Sequence, residues 1–589
     1  MKEKRRFTAI IAAMALAATM AIPSIMMTAN AATANKVTIN NEQGTGSGYT
    51  HKYTVYKIFD GEVTDGGALE GITFAKSGGF SDFLTALKAD STIGGDFTSA
   101  TNEAAVANIL SGYTADSDKL KAFAAFVAAN PSLVTTAASA AASPIALATD
   151  GYYLIVEDPT SGTPEDVGMT RYLLTQYDAS AGVDIDAKSA IPSVEKKIKE
   201  NASYTTDDGY GAGYNDTADY CIGDTVPFEL IGSLPSNIGD YSTYKYVFHD
   251  TLGSQFTLNT DSIVVTVKNG STTKTVKPTS YSTTTADGDS LTVTFNDLLS
   301  IVDTSGTAIT IDSDSKIYVN YTAVLNDNAV IGRNGQTNEV YLEYSNNPDA
   351  GGSGTTSKTP VDKVVAFTYE LDVNKKDSAT NAALDGAQFV LYKTIDGVDY
   401  YANLSSSKIV DWVPGSYSGT TFTKSSDNTN LNGTAAAAPT LTSGSSFSFI
   451  GLDDGTYKLK EITAPDGYNK LASDITVVID ADTSNAQNKA GDGTELVKLE
   501  LTVDGESVQS FDASITDNET TTDVDEAAEQ AAGLTAGQLE FDVANTSGST
   551  LPGTGGMGTK LFILGGGVTA AATGIYLISR KRAKKEEEE

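Results

Sequence analysis

Apolar and polar residues alternate in short runs along most of this chain. Positions 263–267, 291–295, 317–324 and 475–479 are examples, and Thr, Ser, Gly, Asp and Asn punctuate the intervals between such runs. A period of two marks strands with one buried face, and the punctuation predicts that they are joined by turns. Their regular spacing predicts a mainly β protein of tandem immunoglobulin-like β-sandwich domains. One stretch breaks the pattern. From about 80 to 142 the chain is rich in Ala, and Leu120, Phe123, Ala124 and Val127 fall at the i, i+3, i+4, i+7 spacing of one helix face. Helices inserted in, or leaning on, the first β domain are expected there.

Two longer apolar stretches lie near the ends. Residues 7–27 follow Lys2, Lys4, Arg5 and Arg6, and Ala29-Asn30-Ala31 then offers an A-x-A cleavage site. This is the order of a secretory signal, so 1–31 is expected to be removed. Residues 561–578 are close to the roughly 20 that cross a bilayer. Arg580, Lys581, Arg582, Lys584 and Lys585 follow and set the orientation by the positive-inside rule. A transmembrane segment at 561–579 with a cytoplasmic charged tail at 580–589 is expected. Composition shifts divide the remainder into a first domain at 32–190, a second at 191–350, a Gly/Ser/Thr/Pro linker at 351–360 and a third domain at 361–546.

Composition narrows the function classes. Forty basic residues against 75 acidic ones give a net charge of −35, which argues against nucleic acid or an anionic membrane surface as partner. Cys221 is the only cysteine, so no intrachain disulfide can form in an outward-facing protein. Its neighbours Tyr220 and Ile222 suggest a strand and a buried, inert thiol. His51 and His249 are the only histidines, and no metal-ligand spacing, G-x-S-x-G, H-E-x-x-H or P-loop is present. No enzyme, cofactor or metal is expected.

Strand parity singles out three residues in the third domain. Phe367, Tyr369, Leu371 and Val373 share a face, which Lys375 extends. Leu539, Phe541 and Val543 share another, extended by Asn545, and Tyr457 and Leu459 share a third, extended by Glu461. Lone buried charges cost several kcal/mol, so each of these needs a partner. A satisfied ion pair near a sheet edge is one solution. The other is chemical: burial favours a neutral amine and a neutral acid. The acid would then polarise the Asn carboxamide while the amine displaces ammonia, leaving a Lys–Asn isopeptide bond in a site where proximity supplies the effective molarity.

Sequence motifs favour the second solution. Gly455-Thr456-Tyr457-Lys458-Leu459 followed by Glu461-Ile462-Thr463-Ala464-Pro465-Asp466-Gly467-Tyr468 resembles the E-box of the collagen-binding-protein B-type (CnaB) domains of Gram-positive pilins. Leu384-Asp385-Gly386-Ala387-Gln388-Phe389 resembles their second-strand signature. The segment from about 401 to 446 departs from the pattern by being longer and rich in Ser, Thr and Asn, and reads as a loop insertion. The second domain is similar to a fimbrial isopeptide-forming domain. Lys196 shares a face with Val194 and Ile198, Asn338 with Val340, Leu342 and Tyr344, and Asp250 with Tyr244, Tyr246 and Phe248. The resemblance makes Asp250 the promoting acid, and a one-residue slip would exchange Lys196 for Lys197. In the first domain 151–157 echoes the E-box rhythm, but no Lys and Asn accompany it and no bond is expected.

The C-terminal order of Leu551-Pro552-Gly553-Thr554-Gly555, an apolar segment and a basic tail resembles the cell-wall sorting signal of Gram-positive surface proteins. That resemblance implies sortase cleavage between Thr554 and Gly555 and transfer of the Thr554 carboxyl to an amine. In related pilins the amine of the next subunit lies at the end of the first domain in a YPK motif. Here Lys188 holds that place without the preceding Tyr-Pro. The expected protein is therefore a structural subunit, of the backbone type, of a sortase-assembled pilus. Its partners would be sortase, neighbouring pilin subunits and peptidoglycan. The alternative is a wall-anchored adhesin, monomeric or a minor pilin, that binds a host or matrix ligand through the helical part of the first domain or the 401–446 insertion.

Overall fold

The computed structural model describes residues 35–44, 48–201, 213–286, 290–350, 354–484, 495–515 and 526–548. They form three β units in chain order. The first is built on Tyr53–Val63, which pairs with Leu69–Phe74, Thr135–Ala141 and Gly151–Glu157. A small second sheet joins Lys36–Asn40 to Val183–Asp186 and Ile145–Ala146. Helices Phe80–Ala89, Glu103–Ser111 and Asp118–Ala129 are inserted between Leu69–Phe74 and Thr135–Ala141. Asn102 and Ser117 cap the latter two by accepting from the Ala105 and Leu120 amides. Gly151–Glu157 is apolar on both faces because it is covered on both. Tyr152 and Leu154 pack with Phe83, Phe123 and Val127 of the helices, while Tyr153 and Ile155 pack with Val37, Ile39 and Ile185 of the small sheet.

The second unit is a sandwich. One sheet runs Tyr214–Asn215, Val194–Lys199, Thr225–Gly232, Lys316–Leu325, Phe256–Asn269 and Thr272–Thr275. The facing sheet includes Gln336–Ser345 paired with Tyr246–Leu252, and Tyr246–Leu252 paired with Ser290–Phe295. In the third unit Tyr369–Asp377 lies between Ser446–Leu452 and Gln538–Asn545. Pairing with Gln538–Asn545 is parallel, with Lys375 opposite Val543 and Asp377 opposite Asn545, so the opening and closing strands of this unit are direct neighbours.

Three segments differ from the sequence reading. Thr135–Ala141, inside the Ala-rich stretch of about 80 to 142 expected to be helical, is a strand paired with Tyr53–Val63. Asp362–Phe367, expected to open the third domain, pairs with Gln336–Val340 of the second. Its apolar run serves two cores: Val364 and Ala366 enter the second, Val365 and Phe367 the third. The 401–446 insertion is not a plain loop, since Lys408–Ser418 pairs with Val398–Ser405 and Thr421–Lys424. Fully buried Asp411 organises it, accepting from Asn430 Nδ2 (2.5 Å), the Trp412 and Asn432 amides (2.8 and 3.0 Å) and the Thr434 hydroxyl. Its Ser, Thr and Asn content is what such a carboxylate hub requires. Asn432 Nδ2 in turn donates to the Ile222 carbonyl of the second unit at 3.3 Å.

The second and third units meet around Cys221, whose thiol burial pushes up to about 12. The Ile222 amide donates to the Gly451 carbonyl at 3.0 Å. Gly451 has φ +87°, and a Cβ there would lie 2.5 Å from Ile222, so glycine permits both the turn and the contact. Beside it Asp219, Asp453 and Asp454 are buried together. Asp219 accepts from Tyr369 Oη at 3.0 Å and Asp453 from Asn201 Nδ2 at 3.0 Å. Burial, then the neighbouring Glu200, Asp480 and Asp482, raise Asp454 from 3.8 to about 8. Burial and the surrounding acids likewise raise Asp219 and Asp453, the latter against the nearby Lys393. An acid raised on folding stabilises fully below its ordinary 3.8 and loses that contribution as pH climbs through about 8. The melting temperature of the protein, read by calorimetry, is therefore expected to rise as pH is lowered from 8 to 5, and Asp454→Asn to flatten that slope. A melting temperature that falls over this interval would refute the protonated junction.

Two buried clusters of lysine, acid and asparagine

In the second unit Val194–Lys199 turns Lys196 into the core with Val194 and Ile198, while Lys197 faces the other way and pairs with Asp216 at 2.5 Å. Asp250 and Asn338 come from adjacent strands of the facing sheet. Asp250 lies opposite Val340 and Asn338 opposite Leu252, which makes them diagonal neighbours on one face. Lys196 and Asn338 are wholly buried and Asp250 is 2% exposed. The Lys196 ammonium bonds directly to Asp250 Oδ2 and at 3.1 Å to Tyr321 Oη. Tyr321 Oη donates to Asp250 Oδ2 at 2.9 Å and accepts from Asn338 Nδ2 at 2.8 Å. Burial lowers the Lys196 amine and raises the Asp250 carboxyl, each against the pull of its partner. Asp250 Oδ1 and Asn338 Oδ1 are buried and have no hydrogen-bond partner among the described residues. A proton on Asp250 Oδ1 would turn one of these buried acceptors into a donor.

In the third unit the parallel pairing sets Lys375 and Asn545 two positions apart on one face, both buried, with Glu461 2% exposed. Asn545 Nδ2 donates to Glu461 Oε1 at 2.9 Å and to the Asn469 carbonyl at 2.8 Å, and Glu461 Oε2 accepts from the Leu471 amide at 2.7 Å. Among the described residues Lys375 Nζ finds only backbone acceptors, Val543 O at 3.3 Å and Lys376 O at 3.2 Å. Burial pushes its amine down to about 8, and burial raises Glu461. Asn545 Oδ1 is without a partner among the described residues, and a half-turn of the carboxamide places it on Glu461.

Both clusters thus bring together a buried lysine amine that burial shifts toward its neutral form, a buried acid shifted likewise, and an asparagine carboxamide. Sequence parity missed Tyr321. Its signal was present, since it is the one hydroxyl on the inward face Ile317, Val319, Tyr321, Ala323 and Leu325. The first unit assembles no comparable set at its E-box-like strand. There Glu157 takes His51 Nδ1 (2.6 Å) and the Thr170 amide (2.6 Å) as partners. Half-buried Lys188 follows Val183–Asp186, with its amide donating to Thr170 Oγ1 at 2.7 Å and its carbonyl accepting from Asn237 Nδ2 at 3.2 Å. Leu551, Pro552, Gly553, Thr554 and Gly555, with 1–31 and 561–589, lie outside the described residues. No helix among the described residues is long and apolar enough to cross a membrane.

Comparison with known proteins finds matches to two segments that each include part of one cluster. Residues 369–494 match the SpaA prealbumin-like fold domain, and 222–348 match the Cna-B-like domain of Gram-positive pilin backbone subunit 2. The chain is thus similar to a prealbumin-like fold domain over one segment and to a Gram-positive pilin backbone domain over the other. Asp250 and Asn338 fall inside one of these pilin segments, Lys375 and Glu461 inside the other, and Lys196 and Asn545 flank them. The trypsin-resistant surface T6 protein of Streptococcus pyogenes serotype M6 is 27% identical over 438 residues, spanning 67% of this chain and 70% of that protein. Among solved structures, the T6 backbone pilin of S. pyogenes covers 88% of this chain and 100% of its own, at 16% identity and TM-score 0.45. The major pilin SpaD of Corynebacterium diphtheriae covers 89% and 99%, at 15% identity and TM-score 0.40.

Proposed function

We propose that the protein is a structural pilus subunit of the backbone type, polymerised and wall-anchored by sortase and stiffened by two self-made Lys–Asn isopeptide bonds. One observation carries the reading: two successive pilin units each bury a lysine, an acid and an asparagine together, with the lysine on the unit's opening strand. Lys196 would join Asn338 under Asp250, and Lys375 would join Asn545 under Glu461. In the third unit the joined strands are parallel neighbours, so tension entering at one end leaves at the other through covalent bonds instead of unzipping the strands between. The links also restrain the unfolded chain as disulfides do, in a sequence with a single cysteine. Sortase would cleave after Thr554 and hand that carboxyl to Lys188 of the next subunit or, at the base, to peptidoglycan. The folded insertion, tied by Asp411 and braced on Ile222, suits a repeating shaft better than a loop held out for a ligand. Denaturing gels of wall extracts are expected to show a ladder of covalent multimers. A single anchored band would instead favour the monomeric adhesin.

A further inference from the structure

We propose that Tyr321 is a catalytic residue of the second-unit cluster, whose hydroxyl carries a proton from the Lys196 amine to the departing Asn338 nitrogen. The inference rests on the isopeptide reading and adds the group that moves the proton. Amide exchange needs two separate proton services. The carbonyl oxygen must be protonated as the amine attacks, and the nitrogen that leaves must gain a proton before its bond to carbon can break. Asp250, a diagonal neighbour of Asn338 on the same sheet face, is the acid for the first, and the Oδ1 atoms of both are without a partner among the described residues. For the second, Tyr321 Oη is the atom that touches both nitrogens, at 3.1 Å from Lys196 Nζ and 2.8 Å from Asn338 Nδ2. It is locked there by strand pairing opposite Phe228 and by stacking on that ring, with centroids 5.3 Å apart.

The step balances without any co-reactant. Lys196 Nζ bonds to Asn338 Cγ while Asp250 delivers its proton to Oδ1. Tyr321 Oη then takes a proton from Nζ as it gives its own to Nδ2, the Cγ–Nδ2 bond breaks, and ammonia leaves. Oδ1 returns its proton to Asp250 as the carbonyl reforms. Tyrosine begins and ends neutral, which suits a hydroxyl that burial and the Asp250 charge hold well above its ordinary acidity range. The third unit differs in a useful way. There Glu461 itself sits on the Asn545 amide nitrogen, so one acid serves both steps and that cluster is an internal control.

Tyr321→Phe keeps the ring stack and removes only the hydroxyl. In the full-length chain, sampled by intact mass and peptide mapping after a pulse of synthesis, it is expected to form the Lys196–Asn338 link about 100-fold more slowly. The Lys375–Asn545 link should form at the normal pace, which also shows that the chain has folded. Equal rates of the Lys196–Asn338 link in variant and wild type would overturn the role of Tyr321. Should the variant misfold, 3,5-difluorotyrosine at 321 keeps shape and hydroxyl but changes its acidity. A shifted rate or pH profile supports the relay, and an unchanged one removes it. If wild type never forms the second-unit link, it is the isopeptide reading that fails.

Discussion

The recombinant ectodomain is expected to weigh less than its own sequence by two molecules of ammonia. Each loss records one lysine amine displacing one asparagine nitrogen. Asp250→Ala is expected to restore one of them and Glu461→Ala the other, while the double variant reaches the full sequence mass. Asp250 is needed because the amine and carboxamide are poor partners without an acid, and burial raises its carboxyl toward the protonated form. Both bonds close long loops, from 196 to 338 and from 375 to 545, so on the chain-entropy account each is worth roughly 5 kcal/mol. Removing the acid also strands a buried amine, so the melting temperature and protease resistance of the affected unit should fall sharply while the other unit keeps its own. A wild-type chain at full sequence mass would leave both clusters as ordinary buried polar networks. Acid variants that still lose ammonia would leave the bonds standing and remove Asp250 and Glu461 from their chemistry.

Which side chains share a face was legible in the sequence, because a strand's period of two is a local property. Lys375, Asn545 and Glu461 each extend an apolar face, and the structure sets all three at one end of the third core. What could not be read was anything requiring register between distant strands. Tyr321 is the one hydroxyl on its inward face, but what that hydroxyl meets is hidden until the pairing brings it between Lys196 and Asn338. The apolar run of Asp362–Phe367 gave no sign that alternate residues feed different cores, since both faces look alike. The 401–446 segment was mistaken for a loop for the opposite reason. Asn430, Asn432 and Thr434 there are hydrogen-bond partners of Asp411, and composition counts a buried Asn such as Asn430 as if it were solvated. The helices were visible from their spacing, whereas the two-sided covering of Gly151–Glu157 explains why that strand showed no alternation at all.

Lys188→Arg is expected to collapse the covalent ladder to a monomer that remains attached to the wall. A folded sortase carrying the Thr554 acyl group must reach an amine that is accessible and close to a domain junction. Lys188 lies immediately after Val183–Asp186, where the first unit passes into the second, and its ammonium makes no ion pair or hydrogen bond among the described residues. The other lysines nearby are worse placed. Lys196 is wholly buried against Asp250, and Lys197 is held by Asp216. Arginine keeps the positive charge and the solubility, yet its guanidinium stays protonated and cannot act as the nucleophile. On the proposed reading anchoring would use the Thr554 carboxyl and a wall amine, so it should survive the change, and the two internal ammonia losses should survive as well. Separation of the three outcomes is what makes the variant informative. Ladders that persist in Lys188→Arg would move the linkage to another amine, with exposed Lys199 the next to substitute. Loss of wall attachment together with the ladder would mean that the substitution had disturbed secretion or folding, which the internal ammonia losses of the recovered protein would report.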